Sequence, residues 1–119
     1  MNTSTLEEYF LDLWEDLYPD LTLEREVKLI PNRAYRFDFV HTEGKVAIEI
    51  HGGNYKSERS GHSTSGGLRR DYEKANMVQL VGYNLFALDS VMVRQVEWYH
   101  WIALHICNNI ERNQANQIT

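Results

Sequence analysis

The sequence predicts a single α/β domain: a helix, a three-stranded antiparallel meander, a second helix, a fourth strand and a closing helix. Three observations predict it. Apolar residues recur with a helical period near the start of the chain and again after residue 90. Between them lie three short alternating stretches joined by turns. A helical stretch then precedes one more alternating run, the pattern of a crossover to a parallel strand. The 119 residues suffice for one domain with one real core. We assign residues 1–112 to that domain and expect residues 113–119 to fray.

Ser4 or Thr5 can cap the first helix, with Glu7 or Glu8 closing a capping box. Leu6, Tyr9, Phe10, Leu13, Trp14, Leu17 and Tyr18 form its apolar face, and Pro19 ends it. At about 100° per residue, Glu7 falls inside the apolar arc between Trp14 and Tyr18, while Glu8 points away. Glu7 is therefore the unusual acid, with a capping-box role as the plain alternative. Residues 26–30 alternate as the first strand, with Val27 and Leu29 on one side, and Pro31, Asn32 and Arg33 turn the chain. Residues 35–40 form the second strand, with Phe37 and Phe39 on one face and Arg36, Asp38 and Val40 on the other. Glu43 and Gly44 make a tight turn into residues 46–51, which set Val46, Ile48 and Ile50 against Ala47, Glu49 and His51.

Residues 52–67 are rich in Gly, Ser, Asn and Thr, and about 16 residues is long for a loop unless it is functional or disordered. Residues 68–81 read as a helix stopped by Gly82, and residues 83–88 as a fourth strand parallel to the third. Ser90 caps the last helix, whose inner stripe is Met92, Val96, Tyr99, Ala103, Ile106, Cys107 and Ile110. His100 and His105 read as packing residues. Trp98, Trp101 and Leu104 fall outside the stripe, and such an aromatic patch suggests a partner surface, with a homodimer the simplest guess.

Composition narrows the function classes. At 43% hydrophobic the chain is globular, and no apolar run approaches the roughly 18–20 residues of a membrane span. The N-terminus lacks a basic region followed by an apolar one, and Cys107 has no cysteine to pair with, so a cytoplasmic setting is expected. The net charge of −5 argues against loose coating of nucleic acid. Glu7, Glu8, Asp12, Glu15, Asp16, Asp20, Glu24 and Glu26 face a single Arg25 in the first part of the chain. Lys56, Arg59, Arg69, Arg70 and Lys74 make the middle locally basic, which is compatible with a confined anion-binding surface.

Asp38 and Glu49 are acids inside otherwise apolar strands, and an unpaired buried carboxylate costs several kcal/mol. On neighbouring strands of a meander they come within about 5 Å. Two carboxylates that close repel unless a cation lies between them, and Mg²⁺ or Mn²⁺ suits oxygen ligands completed by waters and a backbone carbonyl. His51 follows on the face of Glu49 and can hold or deprotonate a water, or donate to a developing negative charge. The structural alternatives are Asp38 paired with Arg36 or Arg33, His51 as a strand-end residue, and Asp71 with Lys74 as an ordinary helix ion pair. Gly52 and Gly53 either end the strand or let a phosphate approach the backbone.

Asp38 followed by Glu49-Ile50-His51 resembles the PD-(D/E)XK nuclease superfamily. The ordered set R-F-D-F, A-I-E-I-H-G-G, a loop histidine, D-Y-E-K-A-N and G-Y-N-L-F-A-L is similar to small phage and bacterial endonuclease domains related to the very-short-patch repair endonucleases. The resemblance covers residues 26–93 and implies a restriction-endonuclease-like core. It implies metal ligation by Asp38, Glu49 and the carbonyl of Ile50, with Glu7 as the helix acid acting through a water. His51 stands where the superfamily usually has lysine, so Lys74, or less directly Lys56, is the candidate replacement, with Asp71 on the flank of Lys74. His62 matches the loop histidine, and Lys56, Arg59, His62, Arg69 and Arg70 are the expected nucleic-acid contacts. The implied activity is metal-dependent cleavage of DNA, aimed at junctions, nicks or mismatches in repair or recombination, with Mg²⁺ or Mn²⁺ and no organic cofactor. For a phage enzyme the setting is the host cytoplasm. A non-catalytic nucleic-acid binder on the same fold and a small protein-interaction module are the alternatives.

Overall fold

The apolar stripe of the first helix decides where that helix sits. In the computed structural model, which describes residues 5–51 and 65–118, α1 (Thr5–Leu17) buries Phe10 and Trp14 completely. The Phe10 ring lies 5.9 Å from Trp14, 5.0 Å from Phe39 and 5.1 Å from Tyr99. Each such ring contributes roughly 1.5–3 kcal/mol by leaving water. The Trp14 indole donates to the Leu21 carbonyl at 2.7 Å and folds the chain back past Pro19. Tyr9, expected on the inner face, is 43% exposed. The buried stripe is narrower than the apolar arc, and Tyr9 at its margin lies under the Arg94 guanidinium instead.

Four strands form one sheet in the order β1 (Glu24–Val27), β2 (Phe37–His41), β3 (Val46–His51) and β4 (Asn84–Asp89). The first three pair antiparallel, and β4 runs parallel to β3. β1 lies earlier and is shorter than the alternation predicts. Glu26 has φ 55°, a left-handed conformation that ends regular pairing soon after it. The turn at Pro31 forms as expected, with Asn32 at φ 63° and the Arg33 N–H donating to Ile30.

Helices cover both faces. α1 and the closing helix α3 (Val96–Ile118) pack with Phe39, Val46, Ile48 and Leu88. The crossover helix α2 (Ser65–Leu80) places Val78 against Val40, Ala47 and Tyr83 on the other face. Phe37 belongs to this second group and does not share the face of Phe39. The change of face falls where Glu26, across from Asp38, takes the left-handed φ of 55°. α2 begins three residues earlier than predicted and takes in Gly66 and Gly67. A helical glycine costs only about 1 kcal/mol, so glycine content alone does not stop a helix whose later turns are packed. Gly82, at φ 93°, ends it as expected.

The closing helix departs from the sequence reading in four ways. Asp89, not Ser90, accepts the N–H groups of Val91 and Met92 at 3.0 and 2.9 Å. A 3₁₀ turn (Met92–Arg94) and an extended Gln95 come before the helix proper. Cys107 and Val96 are exposed, while Ile102 and Asn109 take inner positions. The helix runs on to Ile118, as each further residue adds a hydrogen bond to a helix already anchored by packing.

α3 also pins the β2–β3 turn. Asn109 donates to the Gly44 carbonyl at 2.8 Å, and the Gly44 N–H donates to His41 Nδ1 at 2.9 Å. Ile106 packs so closely that a Cβ on Gly44 would lie 2.7 Å from its Cγ2. His105 bonds the Asn84 amide oxygen at 2.7 Å at the start of β4. One end of the sheet is thus clamped, and the acids gather at the other.

Candidate active site

The aromatic anchor at Phe10 fixes Glu7, which lies one turn earlier on the same flank of α1. The Glu7 side chain is 21% exposed, against 59% for Glu8. Its carboxylate meets two others. Glu7, Glu26 and Asp38 each offer an oxygen, and the three oxygens lie within 4.8 Å of one another. Strand pairing explains the convergence. Arg25 faces Phe39 and Val27 faces Phe37, so Glu26 stands opposite Asp38. Phe39 faces Ile48, so one step further Glu49 stands opposite Asp38 on the other side. Beyond that last pair the Ile50 N–H donates to Asp38 Oδ2 at 2.8 Å. The Ile50 N–H thus bonds a carboxylate of the cluster.

Glu49 is engaged on the α2 side. Lys74 Nζ lies 2.9 Å from Glu49 Oε2 and 2.7 Å from the Arg36 carbonyl oxygen. The ammonium also sits 4.6 Å from the centre of the Phe37 ring. His51 Nε2 is 3.6 Å from Glu49 Oε1, an ion-pair distance longer than a hydrogen bond. Arg25 spans Glu7 and Glu8 at 3.3 Å each, its guanidinium 5.2 Å from the centre of the Phe39 ring.

These surroundings separate the carboxylates. Burial pushes the Asp38 carboxyl up to about 6, the Ile50 N–H opposes the rise, and the charges of Glu49, Glu7 and Glu26 add to it. Burial also pushes Glu49 up, but its contacts with His51 and Lys74 outweigh that and hold it below its ordinary value. The Glu49 carboxylate raises His51 against the effect of burial, with smaller help from Asp38 and Asp71. Asp38 is left as the acid in surplus of negative charge. With Glu7 and Glu26 it makes three hard oxygen donors, with no cysteine or histidine among them, which fit a divalent cation such as Mg²⁺ or Mn²⁺.

Of the residues singled out in the sequence, Glu7, Asp38, Glu49, Ile50, His51 and Lys74 gather at this end of the sheet. Asp71, Arg69 and Arg70 are exposed on the first turns of α2. Gly52, Gly53, Lys56, Arg59 and His62 lie outside the described residues. The pairing of Asp38 with Arg33 or Arg36 does not form. Arg33 reaches Glu73, and Arg36 reaches the Glu26 carbonyl. Asp71 and Lys74 do not pair with each other, and Lys74 pairs with Glu49 instead. Trp101 and Leu104 are 54% and 59% exposed on α3, and Trp98 is half-buried edge-on to Trp101. His100 bonds Tyr18, joining the end of α1 to α3. Among the described residues no helix is long and apolar enough to cross a membrane.

Two site residues escaped sequence reasoning, Glu26 and Arg25. Only the β1–β2 register identifies Glu26, and the nine residues between the two strands hide that register in the sequence.

No family model matches the chain, and no curated protein matches it. Among solved structures it is similar to the catalytic domain of the homing endonuclease I-Bth0305I, with a TM-score of 0.64 and 16% sequence identity. The match covers 91% of this chain and 99% of that domain. At that identity the likeness is one of fold.

Proposed function

We propose that the chain is a divalent-metal-dependent endonuclease that hydrolyses phosphodiester bonds in DNA. One observation carries this reading. Carboxylate oxygens of Glu7, Glu26 and Asp38 lie within 4.8 Å of one another beside the Glu49–Lys74 pair, on a fold like that of a homing endonuclease catalytic domain. Glu7, Glu26 and Asp38 would hold Mg²⁺ or Mn²⁺, with Glu49 alongside. When bound, such an ion polarises a phosphoryl oxygen and lowers the pKa of a coordinated water.

The chain's own residues supply the rest. Lys74, fixed between Glu49 and the Arg36 carbonyl, presents a positive charge for the extra negative charge of the transition state. It takes this part from α2, because the strand position usual for lysine in the resembled superfamily holds His51. His51, raised by Glu49, stays protonated further into the neutral range and is suited to donate to the departing oxygen rather than to take a proton from water. Glu49, held ionised, keeps both cations in place.

A cleavage panel tests the reading: supercoiled plasmid, four-way junction, mismatched duplex and plain duplex, each with EDTA, Mg²⁺ or Mn²⁺. Cleavage is expected only with metal and is lost in Asp38→Ala while binding persists. Binding without cleavage of every substrate in either metal would sink the proposal and leave a DNA-binding protein on this fold.

A further inference from the structure

We propose that Arg33, Arg36 and Arg70 form a phosphate track, a strip of guanidinium groups along the seam between α2 and the segment joining β1 to β2, which receives the backbone of duplex DNA and leads it to the acid cluster. The track deepens the nuclease reading of the adjacent site and takes DNA as its polymer from that reading.

Residues 33–36 lie against the middle of α2. The Tyr35 hydroxyl donates to Glu73, and Arg33 Nε lies 3.8 Å from the same carboxylate oxygen. Lys74, the next residue of the helix, donates to the Arg36 carbonyl at 2.7 Å. Arg70 lies one turn before Glu73 on the same flank. It is close enough that its charge, like that of Arg33, acts on the Tyr35 hydroxyl. Arg36 stands at the far end of the strip, with Nη1 3.5 Å from the carbonyl of Glu26, whose carboxylate belongs to the cluster. The strip therefore runs from the second turn of α2 to the edge of the site.

Ion pairing separates these arginines from other basic residues nearby. The chain has 17 acidic residues against 12 lysines and arginines, so carboxylates are in excess. Arg25 takes two of them, and Lys74 takes Glu49. Arg36, two residues from Asp38, makes no ion pair among the described residues and reaches the Glu26 carbonyl. Arg70 makes none among them either, and the ion pair of Arg33 is long, to a carboxylate already bonded by Tyr35, while its Nη1 donates to the Asn32 carbonyl at 3.2 Å. Exposed, planar forks with unused donors suit a ligand that brings a series of anions. The outer face of α1, with Glu8, Asp12, Glu15 and Asp16 exposed, would repel such a ligand and confine it to the seam.

The test is binding of a fluorescein-labelled duplex by anisotropy in EDTA, across a salt series, with melting curves to establish that each variant is folded. Each of Arg33→Gln, Arg36→Gln and Arg70→Gln is expected to reduce the slope of log affinity against log salt by about 0.9, and the triple variant by about 2.7. Arg36→Lys, which keeps the charge, keeps the slope. Arg112→Gln, on α3, serves as the control and leaves it unchanged. A folded triple variant with the wild-type slope overturns the track, as does a wild-type chain whose affinity for duplex ignores salt. Binding with the expected slopes but no cleavage in Mg²⁺ or Mn²⁺ strikes down the nuclease reading alone.

Discussion

Replacing Asp38 with Asn should stabilise the metal-free protein at neutral pH and make it indifferent to divalent ions. The carboxyl is pushed from an ordinary 3.8 to about 6 in the folded chain. Between those values the folded state holds more protons than the unfolded one, so this group's contribution to stability falls as pH rises from about 4 to 6 and stays low above that. At about 1.36 kcal/mol per pKa unit the ceiling on that loss is about 3 kcal/mol. Asp38 is only half-buried, and its acidic neighbours are partly in water, so roughly 1–2 kcal/mol is the figure to expect. Asn keeps an acceptor for the Ile50 N–H, so the substitution removes the charge and leaves the hydrogen bond. In urea with EDTA, the variant should match the wild type near pH 4 and exceed it by about 1–2 kcal/mol near pH 7.5. Mg²⁺ at about 100 times its Kd should then add about 2.7 kcal/mol to the wild type and almost nothing to the variant. A variant less stable than the wild type near neutral pH in EDTA, or one that gains equally from Mg²⁺, would refute the crowded-carboxylate argument.

Lys74→Met leaves Glu49, whose side chain is 12% exposed, without its ammonium, and should cost about 1–3 kcal/mol. Cleavage should fall about 10²-fold or more. Adding Glu49→Gln should restore part of the stability and none of the cleavage, and a fully additive double-mutant cycle would deny the coupling. His51 has a raised folded pKa, so the stability from its contact with Glu49 is full below pH 6.5 and is lost as pH rises through the raised value. Cleavage by the wild type should decline over that same range, and His51→Asn should flatten the decline; an unchanged pH profile would remove His51 from the chemistry. Gly44→Ala forces a Cβ to 2.7 Å from Ile106 and should cost about 1–3 kcal/mol. Gly82→Ala, in open space at φ 93°, should cost about 1 kcal/mol through backbone strain. Thermal melts compare the two, and a Gly44 variant no worse than the Gly82 one would contradict the close approach.

What the sequence made legible was local. The helical period placed Phe10 and Trp14 inward, and the same projection turned Glu7 toward the sheet and Glu8 away. Acids inside apolar strands drew attention to Asp38 and Glu49, because a carboxylate in such a pattern needs a compensating partner. Glu26 stayed hidden, since a strand-edge acid looks solvated until the register sets it opposite Asp38, and register is a non-local property. Alternation puts Phe37 on the face of Phe39 because it assumes a regular pleat, and the left-handed Glu26 across from Asp38 breaks that regularity. Cys107 and Val96 read as inward because both are apolar at nearly helical spacing. The inner position went instead to Asn109, a polar residue that spacing rules pass over and the Gly44 carbonyl requires.

The sole cysteine, Cys107, is solvent-exposed and adjoins Ile106, the residue pressed on Gly44. Gly44 precedes β3, and Glu49 lies near the far end of that strand, roughly 17 Å away at about 3.3 Å per residue. A maleimide dye would therefore attach at one stoichiometric position, on the clamped end of the molecule and clear of the acids. From there it lies within energy-transfer range of a fluorophore on an arriving oligonucleotide, which gives docking an optical signal without alteration of any residue that performs it.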